Sequence, residues 1–445
     1  MPPVEGQAYH LDKERHIKYW KRCAQILPEP YTAGESSRMS FGFFIVAALD
    51  LLGALDTVVP ATEKRSWIEW IYGCQVVHTG GFRGFTGTMM GGLRSYHNWH
   101  WDPANLPNTF FALATLVLLG DGLGRVKKRE CLAWVRSLQR PNGSFGEFLG
   151  EDDAVEGADD PRHCMCAVGI MKILQGIGGK GGGQTGEDHT PFDELGLRRY
   201  IANCQSIEGG IGQAPLLEPH SGLNYCGIAT LSFLSLLQTP AVSMDEMARQ
   251  AKVDLASCTR WMLDRQTTWI EEQEDKDEND DDDEGQPEDR PAPEQQNKHL
   301  EPQQSLFDLS PMQERLESET LIAGFCGRCG KMADTCYCFW NVGALAILRR
   351  HHLVDTEAMR RYLLGKVTHI IGGFAKGPGE LPGEWAPRLP NRVFADSGSL
   401  QATTDLLHSY LGLATLAIYN EPGLKAFDPT FCMSVEAVER LNNLG

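Results

Sequence analysis

Five stretches of this chain repeat one pattern: a segment with helical apolar spacing, often ending in Gln, then a Gly-Gly or Gly-Ser turn with Phe or Ile behind it. They lie at 67–82, 131–145, 200–211, 261–325 and 363–374, and Gln75, Gln139 and Gln205 precede three of the turns. Second helical segments, rich in small and apolar residues, fall at 110–119, 164–174, 225–237, 339–348 and 410–419. Helix pairs recurring roughly every fifty to seventy residues, with almost no period-two alternation, specify an all-α array built as one domain spanning 1–445. The repeat overrides the two or three domains that length alone would suggest. Periodicity leaves a solenoid and a closed ring both open. A ring would turn its more apolar helices toward a central cavity, which suits an enzyme with a greasy substrate.

The fourth copy is interrupted at 271–320 by sequence rich in Glu, Asp, Gln and Pro, which cannot bury a core and is expected to be a disordered acidic insertion. Much of the net charge of −18 is concentrated there, since 271–290 holds thirteen acidic residues against Lys276 and Arg290. Without that run the body is only mildly acidic, so no nucleic-acid partner and no anionic membrane surface is implied. A second insertion, polar and Pro-bearing, occupies 383–404 and separates Lys376 from His408. The Gly-rich run 176–186 contains Gly-Lys but lacks a following Ser or Thr and a preceding strand, so it reads as a flexible loop and not a phosphate cradle. The chain starts without a basic and apolar leader and has no transmembrane segment of eighteen apolar residues. Its thirteen scattered cysteines fit reduced thiols, so a cytoplasmic location is expected and the sequon at Asn142 is idle.

The chemistry concentrates in 327–341, where Arg328, Lys331, Asp334, Cys336, Tyr337, Phe339 and Trp340 stand within about four helical turns. A carboxylate and a thiol two residues apart suit Zn²⁺, which takes oxygen and sulfur ligands and keeps one position open in catalytic sites. His408 is the best third ligand, because the apolar run 410–419 behind it reads as a buried helix able to hold an imidazole rigidly. A competing arrangement is a closed Cys₄ staple of Cys326, Cys329, Cys336 and Cys338, which leaves Arg328, Lys331, Asp334 and Tyr337 unexplained.

With those residues in view, the chain resembles the β subunits of heterodimeric protein prenyltransferases, and among them the type I geranylgeranyl branch in a fungal-type form with two insertions. The resemblance covers nearly everything outside the insertions. It is most specific in Gly-Arg-x-x-Lys-x-x-Asp-x-Cys-Tyr-x-Phe-Trp at 327–340, Glu-x-His-x-Gly…Cys-Gly at 218–227, Pro-Glu-x-Tyr…Ser-Arg at 28–38 and Gly-Gly-Phe-Ala-Lys at 372–376. It implies an α/α (α6-α6) barrel of the prenyltransferase and terpenoid-cyclase type, paired with a separate prenyltransferase α subunit. It further implies one catalytic Zn²⁺ on Asp334, Cys336 and His408. The open position takes the cysteine thiol of a CaaX protein ending in Leu or Phe, such as a Rho-type small GTPase, and the thiolate attacks C1 of geranylgeranyl diphosphate.

By the same resemblance, His220, Arg328, Lys331 and Tyr337 stabilise the leaving diphosphate, Arg162 helps bind the acceptor peptide, and Phe44 and Trp340 belong to the isoprenoid and peptide surface. Three positions separate this branch from its farnesyl relatives. Ser40 stands where those carry a Trp flooring the isoprenoid cavity, Leu407 where they carry a Tyr, and Lys376 where they carry an Asp that binds Mg²⁺, so Mg²⁺ is not required. Asn105, Pro107 and His163 depart from the His, Ala and Phe of the animal enzyme, which leaves the selection of the terminal acceptor residue open. The Asp run 280–284 is set aside as an Mg²⁺ motif because it lies in low-complexity sequence. The alternatives are a farnesyltransferase β subunit, a Rab-type geranylgeranyl subunit, a terpenoid cyclase, and a non-catalytic α/α scaffold with structural zinc.

Overall fold

Two kinds of helix alternate along the chain, and their difference in apolar content decides the architecture. The computed structural model describes residues 9–27, 29–86, 98, 101–175, 192–268, 321–378 and 404–444. The acidic insertion, the second insertion up to residue 403, the Gly-rich 176–186 run and most of 87–100 lie outside these residues. Among the described residues the pairs are α1 (Lys13–Gln25) with α2 (Arg38–Leu51), α3 (Ala61–Gly73) with α4 (Leu106–Leu118), and α5 (Lys128–Ser137) with α6 (Pro161–Gln175). Next come α7 (Glu194–Asn203) with α8 (Ser221–Leu237), α9 (Leu255–Leu263) with α10 (Thr335–Ile347), and α11 (Thr356–Arg360), extended by the π-helical turn Arg361–Lys366, with α12 (Thr404–Ile418).

The first helix of each pair buries one stripe, as α1 does with His16, Tyr19, Trp20 and Cys23. The second is apolar nearly all round, as in α2, α4, α6, α8 and α10. A helix without a polar face must be enclosed. Each of these second helices packs on the next, α2 on α4, α4 on α6, α6 on α8, α8 on α10, α10 on α12, and α12 back on α2. The array is therefore a closed ring, the alternative that periodicity leaves undecided. The segment of α2 is not among the second helices that the sequence pattern marks, and the structure adds it as the member that closes the ring.

The repeated turn has a definite bonding scheme. A backbone bridge joins the residue before each turn to the aromatic or aliphatic residue behind it, pairing Gln75 with Phe82, Gln139 with Phe145, Gln205 with Ile211 and Thr368 with Phe374. In the fourth copy the bridge grows into the antiparallel strands Gln266–Thr268 and Ala323–Phe325, from which the acidic insertion departs. The Gln side chain then ties the turn to the next outer helix. Gln205 donates to Gly209 O and Asp254 O at 2.9 Å each and accepts from Asp254 N at 2.9 Å. Gln139 does the same with Asp193, and Gln266 with Asp355. Asp193, Asp254 and Asp355 are the N-caps of α7, α9 and α11, so one side chain anchors each capped helix start to the turn before it.

Glycine is required where that contact is close. Gly209 has φ +102°, and a Cβ there would stand 2.5 Å from the Ser257 carbonyl oxygen in α9. Gly372 has φ +92° and would meet the Arg15 carbonyl oxygen at 2.6 Å, so the last turn seats on the first helix and completes the circle. His16 seals that seam by accepting from Gly373 N at 3.2 Å while stacking on Phe374 at 4.9 Å.

The second helices share one rim because their N-terminal N–H groups find the same partner. Met39 N donates to Gly84 O, Leu106 N to Glu147 O, Ser221 N to Gly327 O and Thr335 N to Lys376 O. Each acceptor lies two residues behind the Phe of the following turn. At α6 the first position is Pro161, which has no N–H, and the carbonyl of Gln213 is taken by the Tyr200 hydroxyl at 2.9 Å. From the other side a hairpin of Phe427–Asp428 and Met433–Ser434 enters the ring, with Phe431 against Phe233 at 5.0 Å and Phe427 against Phe339 at 5.9 Å.

Gln205→Ala removes three hydrogen bonds to turn and cap at one step. It is expected to lower the unfolding free energy by about 1–3 kcal/mol, read from the denaturant midpoint at unchanged m-value.

Candidate metal centre and anion pocket

Asp334 is the N-cap of α10, and its Oδ1 accepts from Cys336 N at 2.8 Å. That cap is fixed from behind, since Asp334 N donates to Phe325 O at 2.9 Å and the Thr335 hydroxyl to Ala375 O at 2.6 Å. His408 comes from α12, whose register is set by the next residue: Ser409 Oγ accepts from Phe374 N at 3.0 Å. The two helices bring His408 Nε2 within 3.2 Å of Asp334 Oδ1. One ligand atom each from Asp334, Cys336 and His408 lies within 4.8 Å of the others, and all three residues are buried.

Electrostatics bear on what this group could hold. Burial, and then the Asp334 carboxylate, push the Cys336 thiol well above its usual range, while the Lys376 ammonium pulls it down. Burial alone would raise the Asp334 carboxyl, but the His408 and Cys336 contacts outweigh it and hold the group below the usual carboxylate range. A thiol held protonated beside a buried carboxylate and an imidazole would ionise readily only with a cation among the three. An oxygen, a sulfur and a nitrogen donor form a set that Zn²⁺ accepts, so the residues fit that ion. Among the described residues no other group of this kind forms; Cys329 is exposed, and the Cys₄ staple does not assemble.

Beside it stand the residues expected to meet the diphosphate. His220 caps α8, with Nδ1 accepting from Gly222 N at 3.1 Å. The ring proton is thereby assigned to Nε2, which faces the Tyr337 hydroxyl at 3.2 Å and leaves that hydroxyl's own proton for a third group. Burial, followed by the charges of Arg328 and Arg162, depresses the His220 pKa to about 4, so it is a neutral donor near pH 7. Gly327 lies flat on Tyr337, where a Cβ would come within 2.3 Å of the ring, and Ser221 Oγ donates to Gly327 O at 3.2 Å. Arg328 pairs with Glu218 at 3.2 Å on an exposed edge, and Lys331 and Lys376 are also exposed.

The remaining expected residues line the same rim and the wall below it. Arg162 is gripped by the fully buried Asp160 at 2.7 Å, and His163 holds Ala158 O at 3.2 Å with Glu147 3.9 Å away. Asn105 caps α4 through Asn108 N at 2.9 Å, a role that occupies its side-chain oxygen. Ser40 is buried in the first turn of α2, with Phe44 one turn on, 5.8 Å from Phe111 and 5.6 Å from Tyr410. Trp340 is half-buried 5.0 Å from Tyr225, and Leu407 is half-buried beside His408. The helix starts at α4, α6, α8 and α10 thus place Asn105, Arg162, His220 and Asp334 at one mouth, where aligned helix dipoles present their positive ends. Asp160 is absent from the residues that sequence reasoning singles out; the signal for it is an acid just before Pro161 at a helix start.

A family model described as the prenyltransferase alpha-alpha toroid domain matches residues 11–433. The chain is 27% identical over 444 residues to geranylgeranyl transferase type-1 subunit beta of Dictyostelium discoideum, covering 96% of each chain. It is 26% identical over 438 residues to the subunit of that name from Arabidopsis thaliana, covering 96% of this chain and 90% of the other. A protein farnesyltransferase subunit beta from Pyricularia oryzae is 25% identical over 270 residues, 59% of this chain and 46% of its own. Among solved structures, Candida albicans protein geranylgeranyltransferase-I complexed with GGPP shares the fold, with a TM-score of 0.70 at 21% identity across 98% of this chain and 99% of that one. Among the described residues no helix is long and apolar enough to cross a membrane.

The depressed His220 pKa carries a pH signature. The unfolded chain takes up the proton near 6.5 and the folded one only near 4, so this group's share of stability is present above pH 6.5 and is lost as pH falls toward 4. His220→Asn keeps a capping acceptor and removes the titration; its stability is expected to fall less steeply over that window in denaturant melts at successive pH.

Proposed function

From the premise that this chain belongs to the prenyltransferase alpha-alpha toroid family, we propose that it is the catalytic β subunit of a type I protein geranylgeranyltransferase. It transfers a geranylgeranyl group from geranylgeranyl diphosphate to the cysteine thiol of proteins ending in CaaX, with X Leu or Phe, of which Rho-type small GTPases are examples. It works in the cytoplasm as a heterodimer with a prenyltransferase α subunit. Relatives of that name align over 96% of this chain, against 59% for the farnesyl subunit. The single observation that carries the chemistry is the buried convergence of Asp334, Cys336 and His408 within 4.8 Å at the mouth of an apolar ring.

Those three residues would hold one Zn²⁺, which supplies the Lewis acidity that lowers the pKa of an acceptor thiol toward neutrality. The protein's own groups do the rest. As sulfur bonds to C1 and the C–O bond breaks, the diphosphate departs with the electron pair and the thiol proton goes to solvent. Tyr337, oriented by His220, donates to a diphosphate oxygen while Arg328 and Lys331 gather the growing charge. Lys376 sets a fixed ammonium beside the leaving group, so that Mg²⁺ is not required. Arg162, braced by Asp160, meets the acceptor peptide together with His163 and Asn105. Phe44, Trp340 and Leu407 give the isoprenoid an apolar wall that excludes water, and Ser40 leaves room for the fourth isoprene unit.

The test is a transfer assay on the heterodimer with peptides ending in Leu, comparing the two isoprenoid diphosphates. Preference for the twenty-carbon donor is expected, and preference for the fifteen-carbon donor overturns the assignment. His408→Ala is expected to lose its bound zinc, measured by elemental mass spectrometry, and at least about 100-fold in kcat/KM. Ser40→Trp is expected to shift donor preference toward fifteen carbons by roughly tenfold.

A further inference from the structure

How deep the lumen runs can be seen in the exposure of the helices that line it. Phe111 in α4, Met165 in α6, Trp340 in α10 and Leu407 in α12 are half-buried, whereas the middle turns of these helices are buried. All four lie within the first two turns below the rim. What ends the opening is the C-terminal hairpin. Its strands sit against the far end of α2, where Asp50 accepts from Lys425 Nζ at 2.8 Å and from Ser434 Oγ. Its tip climbs along α8, with Thr430 Oγ1 3.1 Å from Ser232 Oγ, and reaches Tyr225, whose hydroxyl donates to Pro429 O at 2.7 Å and lies 2.8 Å from Cys432 Sγ. From Ser232 to Tyr225 the helix rises by about 10 Å toward the rim. Across the ring the Tyr410 hydroxyl donates to Cys432 O.

Cys432 is half-buried between Phe431 and Met433, which are 3% and 1% exposed. Trp340 touches Tyr225 and Phe44 touches Tyr410, so the two aromatic walls of the lumen both end on this residue. We propose that the tip of the C-terminal hairpin, residues 429–432 ending in Cys432, is the floor of the isoprenoid channel and limits how long a donor chain the enzyme accepts. The proposal rests on the prenyl-transfer reading above and adds a second gauge to it. Ser40 acts from the first turn of α2, whereas Cys432 acts from below and belongs to a different element. The position tolerates few side chains, because Cys432 has φ +54°, in the left-handed region where a thiol is small enough to be held and Gly would be relaxed.

The test uses the heterodimer and three donors, of fifteen, twenty and twenty-five carbons. Cys432→Gly suits the local backbone and deepens the channel; it is expected to raise use of the twenty-five-carbon donor relative to the twenty-carbon one by about tenfold. Cys432→Phe shortens the channel and is expected to lower the ratio of twenty- to fifteen-carbon transfer by about tenfold. Thermal midpoints of both variants are recorded, and if the Phe variant does not fold, Cys432→Gly alone decides. Wild-type enzyme that prefers twenty carbons, with donor ratios within twofold of it in the folded variants, overturns the floor and leaves the function standing. Wild-type enzyme that transfers neither isoprenoid overturns both.

Discussion

Six helices that are apolar on every side have to satisfy the N–H groups at their starts without help from water. In this protein the neighbouring repeat does it, through a carbonyl two residues behind its aromatic turn residue, at α2, α4, α8 and α10. One bond type, repeated around the circle, sets the height of each helix against the next. The positive ends of the helix dipoles are thereby brought to one mouth, and so are the residues at helix starts. The candidate site is a consequence of that alignment: Asp334, His220 and Asn105 are all N-caps, and Arg162 and Cys336 stand just inside their helices.

The same residues therefore serve the fold and the proposed site together. Asp334 caps α10 with the oxygen that faces His408, and His220 caps α8 with one nitrogen while orienting Tyr337 with the other. Capping fixes a side chain whose remaining lone pair or proton is left for a ligand. That economy positions these side chains although they come from helices far apart in the chain.

Much of this was legible in the sequence because it is local. The run from Arg328 to Trp340 carries a carboxylate, a thiol, two cations and a phenol within a few turns, and the Gly-Gly-Phe turns recur with recognisable spacing. The third residue of the converging group, His408, was legible only through the apolar helix behind it. Ring closure was not, because it depends on Gly372 meeting Arg15 and on α2, whose segment has no preceding copy of the turn to mark it. The role of the motif Gln was also hidden, because its partner in space is the capping Asp of a helix some fifty residues on, as Asp254 is for Gln205. The contacts of Cys432 had no signal in the sequence, since they are made with Tyr225 and Tyr410, which the fold brings to it.

The short ladder at Gln266–Thr268 and Ala323–Phe325 has a consequence for how such a chain can vary. Register fixes its two ends at the spacing of paired strands, about 4.8 Å, whatever lies between them. Lengthening the intervening stretch then adds only a logarithmic closure penalty, about 0.6 kcal/mol for each doubling. The protein thus carries a ready-made splice point, a place where new sequence can be gained, lost or exchanged over evolutionary time while the circle of helices keeps its shape.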